Sequence, residues 1–209
     1  MAEVTKAQQK NSSRSIRYMA FIGMFSAIAA VLMFLEVPIP FIAPGFYKMD
    51  LSELPVLVGT FSLGPVAGVF IEFIKILIHL LIKGTSTAFV GELGNFIVGL
   101  ALILPAGLIY LRKKTRKRAL IGMITGTLVM VLAGMLINAF VLLPMYAAAF
   151  GGMEAIIAAG TAVNGSVHSV FGFVALCVAP FNLIKGILVS ALTFLLYKHI
   201  SVLIKKGLG

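Results

Sequence analysis

Apolar residues run in long blocks along this chain, and polar residues are largely confined to the gaps between them. A surface helix would repeat its apolar residues every three or four positions, and a half-buried strand every second one. Neither period dominates. Blocks at about 18–36, 66–83, 90–111, 119–147 and 169–197 are each near or beyond the ~20 residues that a helix needs to cross a bilayer. A sixth block, at about 51–63, is short and is expected as a span or a partly inserted helix supported by its neighbours. The pattern predicts an all-α polytopic membrane protein, a bundle of six transmembrane helices. Residues 1–209 then form one membrane domain behind a basic tail of about 1–17.

The gaps carry helix-breaking residues. Pro38, Pro40, Pro44 and Gly45 mark a first loop over about 37–50, and Gly64-Pro65 marks a tight turn. Lys83-Gly84-Thr85-Ser86-Thr87 reads as the next loop, and a Gly- and Ala-rich stretch fills about 148–168. No tandem repeat or two-half symmetry of the kind found in many secondary transporters is visible.

Composition agrees with the pattern. The chain is 60% hydrophobic and 11% charged, against roughly 25% charged in a soluble domain. The net charge of +10 would suit nucleic acid, but its placement does not. Lys6, Lys10, Arg14 and Arg17 precede the first block, Arg112, Lys113, Lys114, Arg116, Lys117 and Arg118 form one cluster, and Lys198, Lys205 and Lys206 follow the last block. Such clusters orient a membrane chain with its basic loops inside and suit an anionic inner leaflet of membrane lipid. With six spans, both termini and the 112–118 cluster share the cytoplasmic side of a cell membrane. The apolar run continues past Ala27-Ile28-Ala29 through Val31–Leu35, so the start reads as a span rather than a cleaved signal. The single cysteine, Cys177, permits no internal disulfide and is expected to pack as a small residue.

No phosphate-binding Gly-rich loop, paired-histidine metal motif or nucleophile elbow is present. The chain is therefore expected to be no enzyme and to need no cofactor. Polar groups inside the apolar blocks cost about 2.5–3.5 kcal/mol each when ionisable, so each needs a reason. Glu72, Lys75 and His79 share one helix face. They read as an internal Glu–Lys pair or, alternatively, as a proton or ligand path. Asn182 and Lys185 lie one turn apart after Pro180, which is expected to disturb the helix. Together they can read the polar edge of a heterocycle; otherwise Lys185 snorkels or pairs with Glu92. Asn138 is either interhelical glue or a ligand contact. Gly23 with Ala27, and Ser26 with Ala30, are small pairs that allow close helix approach, inside the bundle or against a partner.

Several stretches resemble one family. Tyr47-Lys48-Met49-Asp50-Leu51-Ser52-Glu53-Leu54-Pro55, then Gly64-Pro65-Val66-Ala67-Gly68, are similar to the first loop and second span of the riboflavin-specific S components of energy-coupling factor (ECF) transporters. Gly91-Glu92-Leu93-Gly94-Asn95-Phe96, the run from Asn138 to Tyr146, and Pro180-Phe181-Asn182-Leu183-Ile184-Lys185-Gly186 resemble the same family. The resemblance implies a six-helix protein that captures riboflavin from outside, as transported ligand and not cofactor. It implies that Asn138, Asn182 and Lys185 contact the flavin, that Tyr47, Lys48 and Met49 belong to a covering loop, and that Glu92 and Asn95 lie in a family motif near the ligand. It also implies partners, a transmembrane coupling protein and two ATPase subunits. Docking would run through small residues of span 1, where Gly23/Ala27 and Ser26/Ala30 stand in place of the family's Ala-x-x-x-Ala pattern. An S component for another vitamin such as thiamine, biotin or pantothenate, and a self-sufficient proton-coupled transporter using Glu72, Lys75 and His79, are the alternatives.

Overall fold

The computed structural model describes the backbone of residues 2–208 and the side chains of residues 15–196. The side chains of Lys6, Lys10, Arg14, Lys198, Lys205 and Lys206 lie outside the described residues. Helix α1 (Ala2–Phe34) holds the first apolar span over Ser15–Phe34. The first loop then folds back on itself as a short antiparallel ribbon. In it β1 (Val37–Pro38) pairs with β2 (Lys48–Met49), Val37 opposite Met49 and Pro38 opposite Lys48. Helix α2 (Glu53–Leu63) has only 11 residues. It turns at Gly64, whose φ of +105° an L side chain avoids. Pro65 then opens α3 (Pro65–Lys83), at a position where the missing N–H costs nothing.

Helices α4 (Val90–Arg112) and α5 (Arg116–Ile137) form an antiparallel pair joined through the exposed basic cluster. Thr115 caps α5, its Oγ1 accepting from the Arg118 N–H at 3.3 Å. The pair packs closely because Gly122 and Gly126 leave room: a Cβ on either would lie 2.7 Å and 2.3 Å from the Ala106 and Leu102 carbonyl oxygens. Beyond α5 come α6 (Leu143–Ala149), α7 (Met153–Val163), α8 (Val170–Phe173) and the long α9 (Ala179–Leu208).

Two turns of wider, π-helical winding interrupt these helices, at Asn138–Leu142 between α5 and α6 and at Val174–Val178 between α8 and α9. Each is followed within two residues by a proline, Pro144 or Pro180. A proline cannot donate to the carbonyl four residues back. One wide turn re-phases the ladder at that point, so the helix continues instead of stopping. The disturbance expected at Pro180 is thus a π turn just before it.

Among the described residues, five helical stretches are long and apolar enough to cross a membrane: Ser15–Phe34, Pro65–Lys83, Val90–Arg112, Arg116–Ala149 and Val170–Leu196. Helices α2 and α7 are apolar but have 11 residues each. Helix α7 lies within the Gly- and Ala-rich stretch at about 148–168. Gly151 and Gly152, both at positive φ, separate it from α6. Its Ile156 and Gly160 are buried, and Gly160 packs against Phe173. Large apolar side chains such as Phe70, Phe73 and Leu81 of α3 and Leu128, Leu132 and Leu136 of α5 point outward, as a lipid-facing surface requires.

The interior has two apolar cores. One joins α1–α5 around Phe25, Leu57, Ile71, Leu102 and Met123. The other joins the first loop, α6, α7 and the start of α9 around Leu143, Tyr146, Phe173, Cys177 and Phe181. Cys177 is wholly buried there and free. The C-terminal ends of α1, α3 and α6 and the N-terminal end of α4 gather at the end of the bundle that holds the second core. By chain direction the basic cluster and the start of α1 lie at the opposite end.

Candidate ligand-binding site

A cavity of about 740 Å³ opens at the loop end of the bundle, between the two cores. That is within the range of sites that enclose small molecules, roughly 300–1,000 Å³. Of the residues expected at a ligand, Tyr47, Lys48, Glu92, Asn95, Asn138, Asn182 and Lys185 all line it. Met49 does not; it packs against the second core. As β2 residues, Lys48 and Met49 point to opposite faces of the ribbon.

Asn138 and Asn182 are both almost fully buried but differ in engagement. The Tyr47 hydroxyl donates to Asn138 Oδ1 at 2.5 Å, and Asn138 Nδ2 donates to the Gly134 carbonyl at 2.7 Å. Asn138 therefore ties the first loop to the start of the π turn. Burial pushes the Tyr47 phenol well above its usual range, with Tyr146 and Cys177 adding to the effect, so it stays a donor. The Asn182 amide makes no hydrogen bond with any described residue. It faces the cavity against α5, where Gly134 gives it room: a Cβ there would lie 2.5 Å from Asn182 Nδ2. Phe181 and Tyr146 add aromatic walls, and Tyr47 packs 5.7 Å from Phe181 by ring centroids.

Lys185 is neither snorkelled nor paired with Glu92. Its Nζ donates to Asp50 Oδ2 at 2.9 Å and lies 3.9 Å from Glu53 Oε1. Lys75 Nζ lies 2.7 Å from the same Glu53 oxygen and 2.9 Å from Glu72 Oε2. Three carboxylates thus surround two ammonium groups, all nearly inaccessible to solvent; Asp50, Glu53 and Lys185 line the cavity, and Glu72 and Lys75 lie behind them. The Glu72–Lys75 pair matches the expectation from helical spacing, but Asp50 and Glu53 were not singled out as partners. Both stand in the quoted first-loop motif. Acidic residues at the mouth of a short apolar helix, in a chain with so few acids, were the available signal. Burial alone would raise the Asp50 carboxyl. Lys185 and Lys75, with hydrogen bonding by Ser52 and Lys185, outweigh it and hold Asp50 at about 2.

At the mouth, Glu36 bridges Lys48 at 2.8 Å and Lys83 at 2.5 Å. Burial would raise the Glu36 carboxyl, but hydrogen bonds from these two lysines lower it overall. His79 packs against Phe34, ring centroids 5.0 Å apart and planes tilted by 35°, and lines the cavity. No hydrogen bond or ion pair among the described residues joins it to Glu72 or Lys75. Glu92 accepts from the Thr85 and Thr87 hydroxyls, each at 3.0 Å.

The small residues of α1 divide between two faces. Ser26 and Ala30 are buried, Ser26 donating to the Ile22 carbonyl at 2.8 Å. Gly23 and Ala27 are exposed, beside Met24, Ile28 and Val31. A surface for a partner can therefore include only Gly23 and Ala27 of the four.

Comparison with known proteins supplies the context for this geometry. The family model described as "ECF transporter, substrate-specific component" matches residues 17–197. The riboflavin transporter RibU of Staphylococcus aureus is 37% identical over 185 residues, 88% of this chain and 90% of that one. The riboflavin transporter FmnP of Bacillus subtilis is 27% identical over 190 residues, 87% and 90% of the two chains. Among solved structures, one described as the S component of a bacterial ECF transporter superposes with a TM-score of 0.72 at 35% identity, covering 91% of this chain and 99% of that one. The match covers the whole cavity and every helix that lines it, and the chain belongs to the substrate-specific components of ECF transporters.

Proposed function

We propose that this chain captures riboflavin from outside the cell membrane and delivers it to an ATP-driven ECF importer, itself catalysing no reaction. The observation that carries this reading is the cavity wall: the buried Asn182 amide and the Lys185 ammonium line it together with Tyr47, Tyr146 and Phe181. A flat tricycle with one polar edge needs apolar walls and a few fixed donors and acceptors. The riboflavin transporters among its relatives support the choice of vitamin. In this reading Asn138, Asn182 and Lys185 face the flavin edge, and Tyr47 and Lys48 belong to the cover. Glu92 and Asn95 border the site.

Counting α2 as a short crossing gives six passages. Both termini and the 112–118 cluster are then cytoplasmic and the cavity opens outward, in keeping with the basic clusters. A transmembrane coupling protein and two ATPase subunits supply the energy, and the exposed Gly23/Ala27 face of α1 is the docking stripe. The test is titration of the purified, ligand-free protein with riboflavin, followed by quenching of flavin fluorescence. A saturable 1:1 complex is expected. A folded protein that leaves flavin fluorescence unchanged, yet binds thiamine or biotin by calorimetry, overturns the choice of vitamin.

A further inference from the structure

The connection between α3 and α4, residues 84–89, forms part of the cavity rim, with Gly84, Thr85, Ser86 and Thr87 lining it. It is short and conformationally unfavourable. Ala88 (φ +50°) and Phe89 (φ +67°) both adopt left-handed backbone without being glycine. Such residues are strained and persist only where the surroundings enforce them. Phe89 is 59% exposed, so burial of its ring does not enforce this. The enforcing contacts converge instead on one side chain. Glu92 Oε2 accepts from both Thr85 Oγ1 and Thr87 Oγ1. With their protons committed to Glu92, the two hydroxyl oxygens accept from the backbone: Thr85 Oγ1 from the Thr87 and Phe89 N–H groups at 3.2 Å and 2.9 Å, Thr87 Oγ1 from the Gly91 N–H at 3.0 Å. Gly91 admits this packing, since a Cβ there would lie 2.7 Å from Thr87 Oγ1 and 3.3 Å from the Tyr146 hydroxyl.

Glu92 is thus the terminal acceptor of a five-bond clamp that holds a strained strap across one side of the cavity mouth. A carboxylate suits the role because it only accepts, which fixes the direction of both threonine hydroxyls. We propose that Glu92 is a positioning residue: it holds the 84–89 strap over the bound ligand and limits how fast ligand enters and leaves, rather than contributing binding energy by touching it. The proposal rests on the reading of the cavity as the riboflavin site. A contact residue and a strap-holding residue predict different kinetics. Loss of a contact raises the dissociation rate alone. Loss of the clamp opens the strap in the free and the bound protein alike, so association and dissociation both accelerate and the affinity changes little.

The experiment is stopped-flow quenching of riboflavin fluorescence by purified wild type, Glu92→Ala, Glu92→Gln and Thr85→Val/Thr87→Val. In parallel, hydrogen exchange is followed at the amides of Thr87, Phe89 and Gly91 in ligand-free protein. Loss of one charge-assisted bond shifts opening on the order of tenfold. Glu92→Ala and the double threonine variant are expected to raise both rate constants at least about tenfold and to speed exchange at those three amides. Glu92→Gln keeps an acceptor oxygen but loses the charge, and should fall between wild type and Glu92→Ala. A rise in the dissociation rate alone, or unchanged exchange in folded Glu92→Ala, overturns the proposal. Exchange is read without ligand, so a failure of riboflavin to bind wild type would refute the ligand and not the clamp.

Discussion

Asp50→Asn is the sharpest perturbation of the site. The substitution preserves side-chain shape and leaves Oδ1 to accept from the Ser52 N–H, now at 2.8 Å. It replaces Oδ2, which accepts from Lys185 at 2.9 Å, by an NH₂ group that cannot accept. The side chains of the pair are 4% and 7% exposed, so solvent screening offers little relief. Breaking a buried pair by removing one partner costs about 3–5 kcal/mol, because the survivor stays buried and unpaired. Here Glu53, 3.9 Å from Lys185, takes up part of that loss, and the lower end of the range is expected. Ligand affinity suffers separately. Asp50 ties the first loop to α9, and the loop carries Tyr47. Loss of a hydrogen bond from a charged donor, worth about 1.5–3 kcal/mol, corresponds to roughly 10- to 150-fold in Kd.

The assay pairs thermal melting with riboflavin titration for Asp50→Asn, Lys185→Met and the double variant. Each single variant should melt earlier and bind more weakly, and the double should lose much less than the two losses combined, since the second change removes a group already orphaned. Full additivity, or wild-type affinity in a folded Asp50→Asn protein, would show that the pair does not hold the loop. Acid adds an independent check. The folded Asp50 carboxyl sits at about 2, below the ~3.9 of a free aspartate. Its contribution, on the order of 2 kcal/mol, is therefore complete above about pH 4 and fades as pH falls through about 2. Asp50→Asn should flatten that part of the stability profile.

Three further outcomes follow from single contacts. Lys75→Met strips the shared ammonium from Glu53 and Glu72, and should lower stability by about 3–5 kcal/mol, read as a large drop in melting temperature that Lys75→Met/Glu72→Gln partly restores. Gly134→Ala places a Cβ 2.5 Å from Asn182 Nδ2; displacing that amide should weaken riboflavin binding about tenfold with a smaller change in melting. Ala27→Trp should abolish ATP-driven uptake in vesicles while sparing riboflavin binding, whereas Ala30→Trp, on the buried face, should overpack the bundle and reduce both.

Much of the architecture was legible because a bilayer imposes one simple demand, length of apolar run. The spans expected at 66–83 and 90–111 differ by a residue or so from α3 and α4. Helix α7 was not legible, because at 11 residues it lacks spanning length and its composition is Gly- and Ala-rich. It is held by packing on Phe173 and Val167 from later in the chain. The candidate site divides in the same way. Spacing along one helix finds Glu72 with Lys75 and Asn182 with Lys185, because a turn of helix is a local fact. It cannot find Lys185 with Asp50, 135 residues apart, or Tyr47 with Asn138, 91 apart. The two turns of wider winding explain why those distant pairs meet. A π turn adds one residue to a helix and rotates everything after it by about 100° relative to everything before. In α9 that rotation falls just before Asn182 and Lys185, and in α5 it begins at Asn138 itself. The polar residues needed at the cavity therefore sit where the helical phase has been reset, and a pattern read at a constant 3.6 residues per turn would misplace the segments on either side.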